Sequence, residues 1–441
     1  MKYKYTTALF CSVTLTQVGA QTLPTRPLLT PAVDVARPLD RISQPLIKKP
    51  LLGPFALSRL PTLEQTLTEP LTVLPDKLTL PGIGGVEVVE VKLADGWRAI
   101  EREWVMLSDA DGIKILKQHA ISMTQQKSYP ALDLYLVKFV VPESLDSRAA
   151  LTALLPAEAA ISLDRNHVFQ NQSESNNKLR SQTDAQVLRS PMCSQDLSIG
   201  MVDTGIQFQH PAFAQSKIIS KNLVDIASIA PLNHGTAVAS VLVGSGQHFS
   251  ALVPNATLYA AAVFYKQSEF AQGATMLNVV DGLNWLAEKR VQVINMSLAG
   301  PDNRILALVI ERLIAKGTII VAAAGNEGPA APPMYPSAYA SVISVSATDD
   351  KNQIYRWANQ GDEIDFVALG VNVYTAHSKG TEARETGTSI ASPLVAALAA
   401  CLSLQHEPQT IQDELIKRSI DLGATGKDPV FGYGLLHRPN N

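Results

Sequence analysis

Residues 384–400 read RETGTSIASPLVAALAA. A glycine and a threonine precede Ser389, and the chain then enters an alanine-rich stretch of helical period with Pro393 inside what reads as its first turn. Capping alone accounts for Thr or Ser at a helix start, and proline is tolerated where N–H groups have no intrahelical partner. The same pattern also fits a nucleophile. A tight glycine turn would expose the Ser389 hydroxyl at the positive end of a helix dipole. That second reading requires a base and an orienting acid elsewhere in the chain.

Outward from this stretch, residues 190–441 alternate apolar runs with helical ones. LSIGMV (197–202), TLYAAAVF (257–264), VQVINMSL (291–298), GTIIVAAAG (317–325), SVISVSA (341–347) and IDFVAL (364–369) read as buried strands, with helices near 234–244, 275–289, 303–316 and 388–404. Nearly continuous Val/Ile/Ala strands separated by helices predict an α/β domain with a doubly wound parallel sheet. Reactive groups in such sheets gather at the carboxyl ends of the strands.

Three further residues stand at strand or helix ends. Asp203 follows LSIGMV and precedes Thr204 and Gly205, a setting that equally suits a simple turn. His234 opens NHGTAVASVLVG, where a helix N-terminus disfavours imidazolium and keeps the ring in the neutral form a general base needs. Asn326 lies in VAAAGNEGPA, where it serves either as a turn residue or as an N–H donor to a developing oxyanion. Each alone has an ordinary structural explanation; together, in one sheet and in the order Asp, His, Asn, Ser, they define a nucleophilic site.

VDTG, HGTAVA, AAGN and GTSIASP resemble the four signature motifs of the subtilisin-like serine peptidases, and the likeness runs from about Leu197 to GYGLLHR near the C-terminus. Asp203 precedes His234 by 31 residues, and 155 more lead to Ser389, the chain order known for subtilisin. The resemblance implies that Ser389 attacks a peptide carbonyl, His234 transfers the proton and Asp203 orients the ring, while Asn326 holds the oxyanion. Ser297, Leu298, Ala299 and Gly300 in NMSLAG would border the substrate, adding a peptide strand to the sheet edge. Ala237, Ser240 and Ala299 replace residues frequent in the family, which bears on subsite shape rather than chemistry. Relatives often hold structural calcium, but no loop here carries a matching run of acidic ligands, and SDADG (108–112) is too short for an EF-hand. No cofactor is required; structural calcium remains compatible with the resemblance but has no site that can be placed, so no metal ligand is assigned, and a monomer is expected.

The rest of the chain frames this domain. The first 20 residues, with Lys2 and Lys4, a short apolar run and Val18-Gly19-Ala20, read as a secretory signal, so the protein is expected to be exported to a periplasm or the exterior. No later run is long enough for a transmembrane helix, and Phe10 before Cys11 argues against a lipid-anchored cysteine. Residues 21–85 hold 11 of the 27 prolines and read as an extended arm. Residues 86–170 read as a small α+β unit, whose length and position resemble the inhibitory pro-domain of such peptidases. It would act as an intramolecular inhibitor of the cleft. Residues 171–189, polar and aperiodic, read as an exposed linker where self-processing would occur. Cys193 and Cys401 would remain after export, free to pair or to stay buried as small hydrophobes.

With 46% hydrophobic and 17% charged residues and a net charge of −3, the 441-residue chain gives no basis for a nucleic-acid or anionic-membrane partner. An α/β-hydrolase would need G-x-S-x-G and the order Ser, Asp, His, which GTSIA and the observed order do not supply. The remaining alternative is a secreted pseudoprotease that binds peptides or proteins in the same cleft. Four intact motif residues argue against it. No acidic cluster borders the first pocket, so strict selection of Arg or Lys there is not indicated.

Overall fold

The computed structural model describes residues 74–171, 190–227 and 230–437, all within one compact unit, Pro70–Asn441. The signal segment, most of the proline-rich arm and nearly all of the polar linker lie outside the described residues.

The α+β part comprises β1 (Lys77–Pro81), β2 (Glu87–Lys92), β3 (Arg98–Leu107), α1 (Ala110–Gln118), β4 (Ser122–Tyr129), β5 (Leu134–Val140), α2 (Arg148–Leu154), α3 (Ala157–Ile161) and β6 (Asp164–Asn171). α1 and α2 start where capping chemistry predicts: Asp109 accepts the Gly112 N–H at 2.6 Å and Ser147 accepts that of Ala150 at 3.1 Å. The arm read over 21–85 runs too far. Lys77–Pro81 is a strand, antiparallel to β2, because Leu80 buries itself beside Val168, Ile226 and Tyr265.

The following domain contains β7 (Ser198–Asp203), β8 (Lys217–Asn222), α4 (Asn233–Val243), β9 (Thr257–Ala262), β10 (Tyr265–Lys266), β11 (Gln272–Thr275), α5 (Met276–Glu288), β12 (Val293–Met296), β13 (Leu298–Ala299), α6 (Arg304–Ala315), β14 (Ile319–Ala323), β15 (Ile343–Thr348), β16 (Phe366–Leu369), β17 (Val373–His377), β18 (Thr381–Glu385), α7 (Thr388–Leu402) and α8 (Ile411–Ile416). Seven strands form a parallel sheet in the order β16-β15-β14-β12-β7-β9-β8. Alternate residues serve opposite faces. Val293 and Val321 join the core with α4 and α7, while Ile294 and Ile320 join that with α5 and α6. The sheet is thus covered on both sides, which explains strands without polar alternation.

The two parts share a second, nine-stranded sheet. β6 pairs antiparallel with β3 on one side and with β11 and β13 of the α/β domain on the other. Polar side chains of β6 also meet helix N-termini: Asn166 Oδ1 accepts the Leu277 N–H of α5 at 3.1 Å, and Asp164 Oδ2 accepts the Arg304 N–H of α6 at 2.8 Å. A carboxylate there satisfies an orphan N–H and faces the positive end of the dipole.

Pro393 occupies the sixth helical position of α7, not the first turn. Lacking an N–H, it gives Ser389 C=O no intrahelical donor; the Ser297 hydroxyl donates to that carbonyl at 3.2 Å instead. The helix is capped at Gly387 without a side-chain bond, so capping does not explain the Thr and Ser. Gly387 adopts φ 152°, ψ 163°, a region essentially restricted to glycine.

Cys193 and Cys401 form a disulfide with a Cα–Cα distance of 5.9 Å, bridging 208 residues of sequence. It fastens α7 to the segment preceding β7. The loop-closure entropy of so long a span corresponds to at most about 5 kcal/mol. The double variant Cys193→Ala/Cys401→Ala should therefore show a lower denaturant midpoint than the parent; coincident unfolding curves would exclude a stabilising role for the bridge.

Candidate functional site

Asp203 ends β7 and is fully buried. Its Oδ1 accepts the Thr204 N–H at 2.6 Å, as a turn would require, and also lies 2.7 Å from His234 Nδ1. The turn and the charge pair are therefore one structure. His234 is the second residue of α4, fixed by the Gly235 N–H donating to Thr204 Oγ1 at 2.7 Å. Its Nε2 is buried and finds no hydrogen-bond partner among the described residues.

The helix N-terminus does not decide the protonation of this ring. Burial disfavours imidazolium, yet the Asp203 carboxylate, by charge and hydrogen bond, with Glu385 adding to it, raises His234 above the ordinary histidine value.

Ser389 is the second residue of α7 and is buried. The chain that holds it begins in β12. Asn295 Oδ1 accepts the Ser392 hydroxyl at 2.5 Å, Asn295 Nδ2 donates to Ser297 Oγ at 2.9 Å, and Ser297 donates to Ser389 C=O. Asn326 stands beyond β14. Its Oδ1 accepts from the Thr388 N–H at 3.0 Å and the Thr388 hydroxyl at 3.2 Å, and Thr388 Oγ1 in turn accepts the Gly325 N–H at 3.1 Å. The amide oxygen is thus anchored, which fixes the orientation of the whole amide, with its N–H₂ group opposite. Thr388, adjacent to Ser389, thus locks Asn326 to the helix start.

The four NMSLAG residues are placed differently from one another. Ser297 is fully buried under Ser389. Leu298 and Ala299 form β13, opposite Asn171 and Gln170 respectively. Gly300 bridges to Tyr335, and a Cβ there would overlap the Phe169 ring. The edge expected to receive a substrate strand is therefore occupied by the last residues of β6. Among the described residues no group of three or more His, Cys, Asp or Glu side chains is arranged to hold a metal ion, and no calcium position is assigned.

Sequence reasoning missed Asn233, Thr388 and Glu385. Glu385 is raised by burial, a shift partly offset by the charge of His234 and a hydrogen bond from the Asn233 side chain. Its position four residues before Ser389 was the available signal.

This arrangement of Asp, His, Asn and Ser at the carboxyl edge of a parallel sheet belongs to a known class. The profile of the Subtilase family (Peptidase_S8) matches residues 194–434, and the chain belongs to that family. It is 34% identical over 209 residues to the minor extracellular protease Epr of Bacillus subtilis, covering 46% of this chain and 32% of that protein. It is 29% identical over 260 residues to subtilisin E of the same species, covering 55% and 64%. Subtilisin DY of Bacillus licheniformis is 31% identical over 245 residues, 54% of this chain and 87% of that protein. The match thus spans about a third of Epr and just under two thirds of subtilisin E. Among solved structures, a prenylagaramide maturation protease aligns with a TM-score of 0.48 and 23% identity, over 56% of this chain and 92% of that one.

The contact of β6 with α6 carries a titratable group. Asn303 caps α6 through Oδ1, which accepts the Ile305 and Leu306 N–H groups at 3.1 Å each, so its Nδ2 faces His167 Nδ1 at 3.0 Å. That contact needs a neutral ring. Burial lowers the His167 pKa, Arg165 and Arg148 act in the same direction, and Asp164 and Asp95 oppose them. A depressed value means the contribution is present above the ordinary histidine pKa of 6.5 and is lost as pH falls through the depressed one. In a Ser389→Ala background, the thermal midpoint should decline below about pH 6.5, and His167→Gln should flatten that decline. Identical slopes in the two proteins would remove His167 from the acid response.

Proposed function

We propose that the chain is an exported serine endopeptidase, made as a zymogen. The observation that carries this reading is the buried 2.7 Å contact of Asp203 with His234, set beside a serine at a helix N-terminus in a member of the Subtilase family. Ser389 Oγ attacks the scissile carbonyl while His234 Nε2 takes the hydroxyl proton. Asp203 holds the ring through Nδ1 and stabilises the imidazolium. The oxyanion is received by Asn326 Nδ2 and the Ser389 N–H. His234 then gives the proton to the leaving amine, and water, activated by the same ring, releases the acyl group.

The substrate is a polypeptide, extended along Leu298 and Ala299, with apolar or mixed side chains before the scissile bond. Gln170 and Asn171 on that edge support the reading of the α+β part as an intramolecular inhibitor. The N-terminal Lys2 and Lys4 with their apolar run support export, and no helix among the described residues is long and apolar enough to cross a membrane.

The test compares wild type with Ser389→Ala by intact mass and by hydrolysis of a mixed peptide library. Wild type should cut within or next to residues 172–189 and hydrolyse peptides. The variant should do neither, with a loss on the order of a millionfold in kcat, as for removal of the nucleophile in subtilisin. Equal inertness, together with no fluorophosphonate labelling of wild-type Ser389, would leave a peptide-binding cleft in place of an enzyme.

A further inference from the structure

One carboxylate beside the proposed base takes no part in that chemistry. Glu385 ends β18, paired across the hairpin with Val373, and lies just before the Gly387 turn. It is held from α4. Asn233 Oδ1 accepts the Ser378 N–H at 3.2 Å and the Ser378 hydroxyl at 3.3 Å, and burial raises the Glu385 pKa while the Asn233 amide lowers it. The β17–β18 hairpin is itself pinned. Thr381 C=O meets His210 Nε2 at 2.9 Å, and the Glu382 carboxylate meets His248 Nδ1 at 2.6 Å. Glu385 thus sits on a fixed support, as a selective group must.

Its position along the substrate path follows from strand register. β6 passes Ala299 with Gln170 and Leu298 with Asn171, so the next residue of any chain on this edge falls opposite Ser297, which touches the Ser389 backbone. The acyl half of a substrate occupies that side. The leaving half must continue past Ser389 to His234, which protonates its amine. Glu385, four residues before Ser389 and ending the hairpin that Asn233, the neighbour of His234, grips at Ser378, stands on the side of the leaving half.

Glu385 is half-buried, yet no Lys or Arg pairs with it among the described residues. The guanidinium of its neighbour Arg384 is engaged elsewhere, lying over the Tyr374 ring at 4.7 Å and donating to its hydroxyl at 2.8 Å. A partly desolvated carboxylate without a cation gains most from a cationic partner brought by the ligand.

We propose that Glu385 is a specificity-determining residue that selects a lysine or arginine just after the scissile bond, pairing its carboxylate with their cationic head. The inference rests on the peptidase reading above. It differs from selection before the scissile bond, for which no acidic cluster stands out in NMSLAG or AAAGNEG.

The experiment uses the full-length chain as recovered, with competent sites counted by fluorophosphonate titration, so that poorly folded material does not distort the rates. Internally quenched peptides differ only at the first residue after the scissile bond: Lys, Arg, Ala or Glu. Wild type should favour Lys and Arg over Ala by about tenfold in kcat/KM. That ratio should shrink as salt is raised. Glu385→Gln should bring the Lys-to-Ala ratio near one, and Glu385→Lys should invert the order toward Glu. A wild-type ratio near one, or a ratio unchanged in both variants, overturns this proposal while leaving the peptidase reading intact. Failure of wild type to cut any peptide overturns both.

Discussion

The site depends on the burial of one helix. All but one of the 15 residues of Thr388–Leu402 are buried, lying across the sheet between β12, β14, β15 and β16 on one side and α4 on another. Such close packing leaves no freedom of rotation or slide. Its first turn must therefore meet the ends of the strands, and Ser389 arrives there with its hydroxyl-bearing face set by the alanines behind it. Pro393 then has a constructive effect. By withholding one N–H it opens a carbonyl that Ser297 occupies, and the helix start is tied through Ser297 and Asn295 back to the strand it covers. Leu394, Val395 and Leu398 fix the helix; the polar chain fixes its register.

Around that helix, electrostatics act through burial. Asp203 is fully buried, and its Oδ1 accepts one backbone N–H and lies 2.7 Å from one imidazole nitrogen. The same desolvation that would empty His234 of its proton strengthens the field of the carboxylate that retains it, and attraction prevails. Asn326 is handled by geometry. Two bonds from Thr388 leave its amide a single orientation.

Much of this was legible in the sequence, because the informative residues are adjacent to the elements that position them. Asp203, His234 and Ser389 each stand within two residues of a strand or helix end, so periodicity located them. The motifs also named the family before any contact was known. Distant pairings were not legible. β8 is polar and largely exposed, so KIISKN carries no core pattern, although it forms an edge of the parallel sheet. The arm was extended too far because proline content masked Leu78 and Leu80, whose partners lie across the molecule. Glu385 acquires its meaning from Asn233, which reaches the same hairpin at Ser378 across 145 residues of chain. No local window contains both.

The sharing of β6 between two parts of the chain turns occupancy of the substrate edge into a question of concentration. While the chain is continuous, Gln170 and Asn171 face β13 from the same molecule, at an effective concentration of about millimolar for a short tether. A free peptide at micromolar levels loses that contest by roughly a thousandfold even if its intrinsic affinity is equal. Were the backbone after Asn171 severed, as the zymogen proposal requires, the strand would become an ordinary ligand whose local concentration falls to that of the protein itself. Dilution would then govern access to the edge.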